Sequence, residues 1–348
     1  MGTKRMRKYV TGLLAALALN VGVVELTAEE VRLRDDVPNT HTVVKGDTLW
    51  GISASFLKNP WLWPEIWHVN AQIQNPHLIY PGDVIRLIYL DGKPRLTLDS
   101  TGRIFKLEPK AHVISTGDAI DTIPLGEINS FLSRSRIVDK DEMKLAPYVI
   151  SGLDQHLIVG AGDKLYARGE VGESSSVYGV YRTGVTFIDP ETDEFLGIQA
   201  LDIGTVSVLT KEDEISTMRV SRTTEEIRIG DRLLREEERS IDSTFIPSAP
   251  ADDVDGVILA VEGGVSQVGK MDVVVINRGE RELIAPGNVL AVYKKGGVVV
   301  DRISGDRIKL PDERAGLLMI FRVFEKISLG LVLEADKGLK VDDKVKNP

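Results

Sequence analysis

The sequence predicts an α+β protein: a small βααβ domain near the N-terminus, then a β-rich C-terminal region with an internal repeat. Three observations predict it. Residues 41–90 parse as strand, helix, helix, strand within their own turn punctuation. Beyond residue 160 the text becomes short β-branched runs separated by Gly, Asp and Asn. Finally, residues 204–234 and 316–345 keep their apolar positions in one register.

The chain opens with Lys4, Arg5, Arg7 and Lys8, followed by a short apolar run from Val10 to Val24. A basic start before such a run is the pattern of a secretory signal peptide. The run falls short of the ~20 residues a membrane-spanning helix needs. Residues 1–28 are therefore read as a signal peptide cleaved after the small pair Thr27–Ala28, which places the protein in the periplasm. An uncleaved inner-membrane anchor is the open alternative, because Leu26 suits the cleavage site poorly. No cysteine occurs, so neither a lipoprotein anchor nor a disulfide can form. Net charge is −9, and cleavage would remove four positive charges and Glu25, leaving −12. An acidic chain without a basic patch repels phosphate backbones, so nucleic acid is not expected as a partner.

Residues 29–39 read as a linker and 40–90 as the first domain. His41–Val44 is its first strand, and Gly46–Asp47 turns out of it. Thr48 is placed to N-cap a helix whose Leu49, Ile52 and Ser53 face inward. Pro60 and Pro64 open a second helix, on which Trp63, Ile66 and Trp67 form one apolar stripe. Asn70 closes that helix, and Tyr80–Pro81–Gly82–Asp83 turns into strand Val84–Ile88. Helical spacing assigns Trp63 and Trp67 to the core. Trp50 and Trp61 remain open as glycan or partner contacts.

Residues 91–103 are Gly-, Pro- and Asp-rich and read as a second linker, and 104–160 as a mixed connecting region. Helix is expected there around Gly126–Leu132 and Asp139–Leu145. Strands are expected at Val177–Val185, Gly204–Leu209, Val257–Val261, Val273–Asn277, Val289–Tyr293, Val298–Val300 and Leu317–Phe324. Two β-rich units follow, 161–235 and 256–348, joined by an acidic, Pro/Ser-containing linker at 236–255. Ile215–Ser216 aligns with Ile327–Ser328, and Val180–Tyr181–Arg182 with Val292–Tyr293–Lys294, at the same offset. Asp163–Lys164–Leu165 answers Asp272–Val273–Val274 further upstream. Chance likeness between two β-rich segments is the alternative to a repeat.

The chemistry of the chain points away from catalysis. A thiol peptidase or transpeptidase lacks its nucleophile. A zinc hydrolase needs clustered ligands, and only His112 and His156 lie beyond residue 90. A lysozyme-like glycosidase sets its carboxylate in a helical fold, whereas this C-terminal half reads β. The protein is expected to be no enzyme and to require neither cofactor nor metal.

The GDTL at 46–49, Asn70, the Asn75–Pro76 pair and YPGDVI at 80–85 together resemble the LysM family closely. The resemblance implies a module that binds N-acetylglucosamine-containing glycan, chiefly peptidoglycan, in a groove between two loops. Carried onto this sequence, those loops are Gly46, Asp47, Thr48 and Leu49, and Asn75, Pro76, His77, Leu78 and Ile79. Asp47 and Thr48 are equally readable as turn and cap residues, Leu78 and Ile79 as core, and His77 as a solvated loop residue. The NPWLWPEIW insertion at 59–67 and the C-terminal ISLGLVLEADKGLKVDDKVKNP make the whole layout resemble the type IV pilus secretin-associated LysM protein family (TsaP). That resemblance implies a wall-bound periplasmic partner of an outer-membrane secretin, with a ring-like homo-oligomer around it. A general wall-binding scaffold without a pilus role is the alternative.

Overall fold

The computed structural model describes residues 31–67, 79–99, 135–153, 158–172, 176–235, 245–262 and 267–348. The signal peptide, the helix expected at Gly126–Leu132, and Asn70 lie outside them. Among the described residues no helix is long and apolar enough to cross a membrane.

The first module consists of β1 (Thr40–Thr42), α1 (Leu49–Phe56), a 3-10 turn (Pro60–Leu62), α2 (Trp63–Ile66), β2 (Val84–Leu90) and β3 (Lys93–Asp99). Strand β2 is central, pairing antiparallel with β1 and along its whole length with β3. Residues 93–99, read from sequence as linker, are thus a third strand. Asp91 and Gly92, both at positive φ, make the tight turn that folds it back. The linker reading at 29–39 also changes. Leu33 bridges Leu57, and backbone bonds run from Arg34 N to Phe56 O and from Lys58 N to Arg32 O.

The helices form as their sequence directs. Thr48 sits in extended conformation and its Oγ1 accepts the Gly51 N–H at 3.1 Å, capping α1. Leu49, Ile52, Ser53 and Phe56 turn one face inward, and Trp63, Ile66 and Trp67 are buried. Trp50 and Trp61 are buried too, so all four tryptophans belong to the core. Burying each ring favours folding, offset in part at Trp61, Trp63 and Trp67 by a buried indole N–H without a partner among the described residues.

The rest of the described chain is almost entirely strand, so α+β fits the first module and only loosely fits the whole. The mixed region expected before residue 160 belongs to a barrel. It supplies β4 (Ser135–Val138), α3 (Lys140–Leu145), β5 (Tyr148–Gly152) and β6 (Ile158–Val159). Helix α3 starts after Asp139, as the sequence expects. Then come β7 (Lys164–Arg168), β8 (Val177–Ile188), β9 (Phe195–Glu212), β10 (Ile215–Thr223), β11 (Ile227–Arg228) and β12 (Arg232–Arg235). The sheet runs β10-β7-β5-β12-β8-β9 and closes because β9 also pairs with β10, while β4 adds to the outer part of β9. Val149, Leu165, Val180, Ile203, Val206 and Met218 fill it.

A second closed barrel follows, built from β13 (Asp255–Val261), β15 (Val273–Ile276), β16 (Val289–Lys294), β19 (Glu313–Val323), β20 (Ser328–Ala335) and β22 (Lys344–Lys346). Between them lie β14 (Gln267–Val268), paired with β21 (Leu339–Lys340), and a hairpin of β17 (Val298–Val300) with β18 (Arg307–Lys309). Its circuit is β13-β15-β20-β19-β16-β22. Replacing each of those strands by β5, β7, β10, β9, β8 and β12 reproduces the first circuit, and β6–β11 stands where β14–β21 does. The stretch 245–255, expected as exposed linker, lies against this barrel: Phe245 is buried and Ser248 bridges Asn288.

The barrels touch through the tip of the β8–β9 hairpin. Asp189 is buried, and its Oδ2 accepts the amide of buried Asn277 at 2.8 Å. Burial alone would raise the Asp189 carboxyl, but the N–H groups of Glu191 and Thr192 and the Asn277 amide hold it below its ordinary value. Glu194 accepts from Arg281 at 2.8 Å and Lys326 at 2.9 Å. Those two cations pull its carboxyl down to about 2.

Candidate glycan-binding site

Two turns of one design meet at one end of the first module. In Val44–Asp47 and in Tyr80–Asp83 the third residue is a glycine at φ near +96° (Gly46 +96°, Gly82 +97°). The fourth is an aspartate whose carboxylate accepts the N–H of the first, at 3.0 Å for Val44 and 2.9 Å for Tyr80. The turns are tied together, since Val43 accepts from Gly82 at 2.8 Å and donates to Asp83 at 2.9 Å. Such a turn needs a residue tolerant of positive φ, which is why glycine stands at both places. A Cβ on Gly46 would meet nothing within 4 Å, so the glycine is required by backbone conformation and leaves open space above it.

The predicted first loop therefore divides by role. Gly46 is exposed and offers uncovered backbone. Asp47 shapes the turn, and its Oδ2 also lies 2.9 Å from His41 Nε2. Thr48 spends its hydroxyl on the α1 cap, and Leu49 is buried in the core. Of the predicted second loop, Asn75, Pro76, His77 and Leu78 lie outside the described residues. Ile79 is fully buried, so its side chain is core, and only its backbone is left to face a ligand. His41 was not singled out from the sequence. A six-residue separation along an irregular turn gives no periodic signal for such a pair.

N-acetyl groups present one carbonyl acceptor, one N–H donor and a methyl, which match peptide N–H and C=O groups beside small apolar surface. Among the described residues exposed backbone of that kind occurs at Gly46, on a turn held by the Asp47 carboxylate and followed by the Thr48 cap.

Comparison with known proteins decides the family of this region: residues 41–87 match the model for the LysM domain. Residues 41–87 form a LysM domain. LysM domains bind peptidoglycan and related N-acetylglucosamine glycans, occur in cell-wall-associated proteins, and are binding modules without catalysis of their own. An uncharacterized protein of Bacillus subtilis (strain 168), YqbP, is 37% identical over 60 residues, which cover 14% of this chain and 27% of that protein. The chain thus spans about a quarter of the curated relative it matches.

Proposed function

We propose that this protein is a non-catalytic, exported tether. Its LysM domain grips peptidoglycan, and its two barrels fasten an envelope machine to the wall, the type IV pilus secretin in the outer membrane being the partner we favour. The observation that carries the glycan half is the LysM domain at 41–87 with the exposed Gly46 turn. The partner half rests on the layout of the chain and its resemblance to the secretin-associated LysM family. We further read the two barrels as a duplicated unit, on the strength of the matching circuits.

Gly46→Val tests the glycan half, because a β-branched residue is strained at φ +96° although space above it is open. The folded variant should stay in the supernatant when purified sacculi are pelleted, while the wild type sediments with them. Equal sedimentation of both would remove the loop from the site. Affinity capture of the tagged protein from envelope extracts should bring down the secretin, and should still do so with Gly46→Val. Capture of wall material alone would reduce the protein to a general wall-binding scaffold.

A further inference from the structure

The β8–β9 connection of the first barrel and its counterpart in the second, between β16 and β19, differ in what covers them. Phe187 and Leu196, which flank the first tip, are buried, and that tip is seated on the second barrel. The counterpart is the β17–β18 arm, and every residue of both its strands is exposed. Val298, Val299, Val300, Ile308 and Leu310 are 43–60% exposed, and Ile303 at the turn is 98% exposed. Single bare apolar residues are ordinary on a surface, but so dense a run of them calls for a cover.

The arm is apolar on both faces. Pairing sets Val298 and Val300 opposite Lys309 and Arg307 on one face and Val299 opposite Ile308 on the other. A groove in a folded partner covers one face of a hairpin, whereas the interfacial layer of a bilayer surrounds an inserted tip on every side. The turn also meets its hydrogen bonds internally. Asp301 N–H donates to Asp306 O and Gly305 N–H to Asp301 O, both at 2.8 Å. The Asp301 carboxylate accepts the Ile303 N–H at 2.8 Å, and Ser304 Oγ accepts the Asp306 N–H at 3.2 Å. A segment that leaves water needs its backbone satisfied in this way. The base of the arm is fixed, with Gly296 donating to Asp312 Oδ1 and Leu310 to Gly297 O, each at 2.9 Å.

Charge selects the kind of membrane. Lys295, Arg302, Arg307 and Lys309 against Asp301 and Asp306 leave the arm at +2 on a chain of net charge −9. The carboxylates at its base are already paired, Asp312 with Lys344 at 3.3 Å and Glu313 with Lys337. At ~3.3 Å per residue, the strand from Gly297 to Asp301 spans roughly 13 Å, beyond the Debye length of about 8 Å at physiological salt. A surface that meets the tip therefore feels the arm's own charge more than the chain's.

We infer that the β17–β18 arm inserts its tip, Ile303 foremost, into the interfacial layer of a membrane carrying anionic lipid, with its cations among the headgroups. The inference rests on neither glycan binding nor a secretin, and Gly46→Val should leave it unchanged.

A label at the tip tests this on the full chain. No cysteine occurs, so one introduced thiol places a dye at one site. A local label is needed because the apolar run from Val10 to Val24 also seeks lipid. An environment-sensitive nitrobenzoxadiazole dye on Val300→Cys should brighten and shift to the blue with vesicles of phosphatidylcholine and phosphatidylglycerol in equal parts. The same dye on Lys140→Cys, at the start of α3, should not respond. Ile303→Asp and Arg307→Glu, each added to Val300→Cys, should weaken vesicle binding by about tenfold or more. Circular dichroism melts of both should match the wild type, since both positions are exposed; Ile303→Ser is the milder variant if either melts early. No response at Val300 overturns the inference and leaves the arm to a protein partner. An equal response on phosphatidylcholine alone, an equal response at Lys140, or folded arm variants that bind like the wild type would overturn it as well.

Discussion

The two barrels use one pairing scheme, but each secures it with different residues. Where the first barrel turns at Arg228–Asp231 with Gly230 at φ +94°, the second turns at Lys340–Asp343 with Asp342 at φ +71°. The turn aspartate is buried in both, Asp231 and Asp343, and each receives the N–H of the turn's first residue. Each also meets a cation from the corresponding strand. Arg182 grips Asp231 with two bonds of 3.0 and 2.9 Å and reaches Glu225 at 3.0 Å, whereas Lys294 meets Asp343 singly at 3.2 Å. The Asp231 bond, ahead of the opposing effect of burial, raises the Arg182 guanidinium above its ordinary range. The lesson is that the pairing scheme fixes where a buried carboxylate must be satisfied, while the choice of partner is free. A planar fork and a flexible ammonium both suffice, with different penalties for loss.

The sharpest way to break this comparison is to remove each carboxylate. Asp231→Ala should destabilise by about 3 kcal/mol, since it leaves a partly buried guanidinium and an uncapped turn. Asp343→Ala should lower stability by only about 2 kcal/mol, because the Lys294 stem can carry its charge to water. Chemical denaturation of the full chain followed by circular dichroism reads both, and equal losses would erase the distinction. Next in size is the link between the barrels. Asn277→Ala withdraws the amide from buried Asp189 and the acceptor from Val257 N–H, for a loss of about 2 kcal/mol. Limited proteolysis should then open the β8–β9 tip before either barrel, and a tip no more sensitive than in the wild type would count against the anchoring role.

A smaller effect should sharpen the comparison at the turns. Gly230→Ala should cost about 1–2 kcal/mol, because the alanine must adopt a left-handed conformation. Asp342→Gly, which removes that strain from an exposed position, should gain roughly half a kcal/mol, seen as a raised melting temperature. The smallest effect is in pH. Glu194 has its carboxyl lowered from 4.5 to about 2, so the folded form binds that proton less readily than the unfolded. Its contribution is complete above 4.5 and fades as pH falls towards 2. Small-angle scattering between pH about 6 and about 3 should show the contact between the barrels loosening at the acid end, and Glu194→Gln should reduce that dependence to the part that Asp189 contributes.

Much of this was legible in the text of the chain. Thr48 announced its cap, the glycines at 46 and 82 their turns, and the β-branched runs from Val177 to Phe324 their strands. Residues 93–99 were missed because Asp91, Gly92 and Pro94 read as breakers, although an Asp-Gly pair is what a tight hairpin requires. The entry to the first barrel was missed because β4 and β5 are short and flank a helix, so neither periodicity persists long enough to register. In the two loops named for glycan, sequence supplied candidates but could not separate residues exposed at the surface from residues facing the core. Leu49 and Ile79 are apolar in either role, and only their burial assigns them.

The placement of β4 has a mechanical consequence. It lies antiparallel on β9, with Ser135 opposite Leu201 and Val138 opposite Ile198. Just beyond Ile198, β9 runs into the tip seated on the second barrel. Loads applied at the N-terminal ends of these two antiparallel strands act at opposite ends of their contact. That is a shearing geometry: the inter-strand bonds share the load and must fail together rather than one after another.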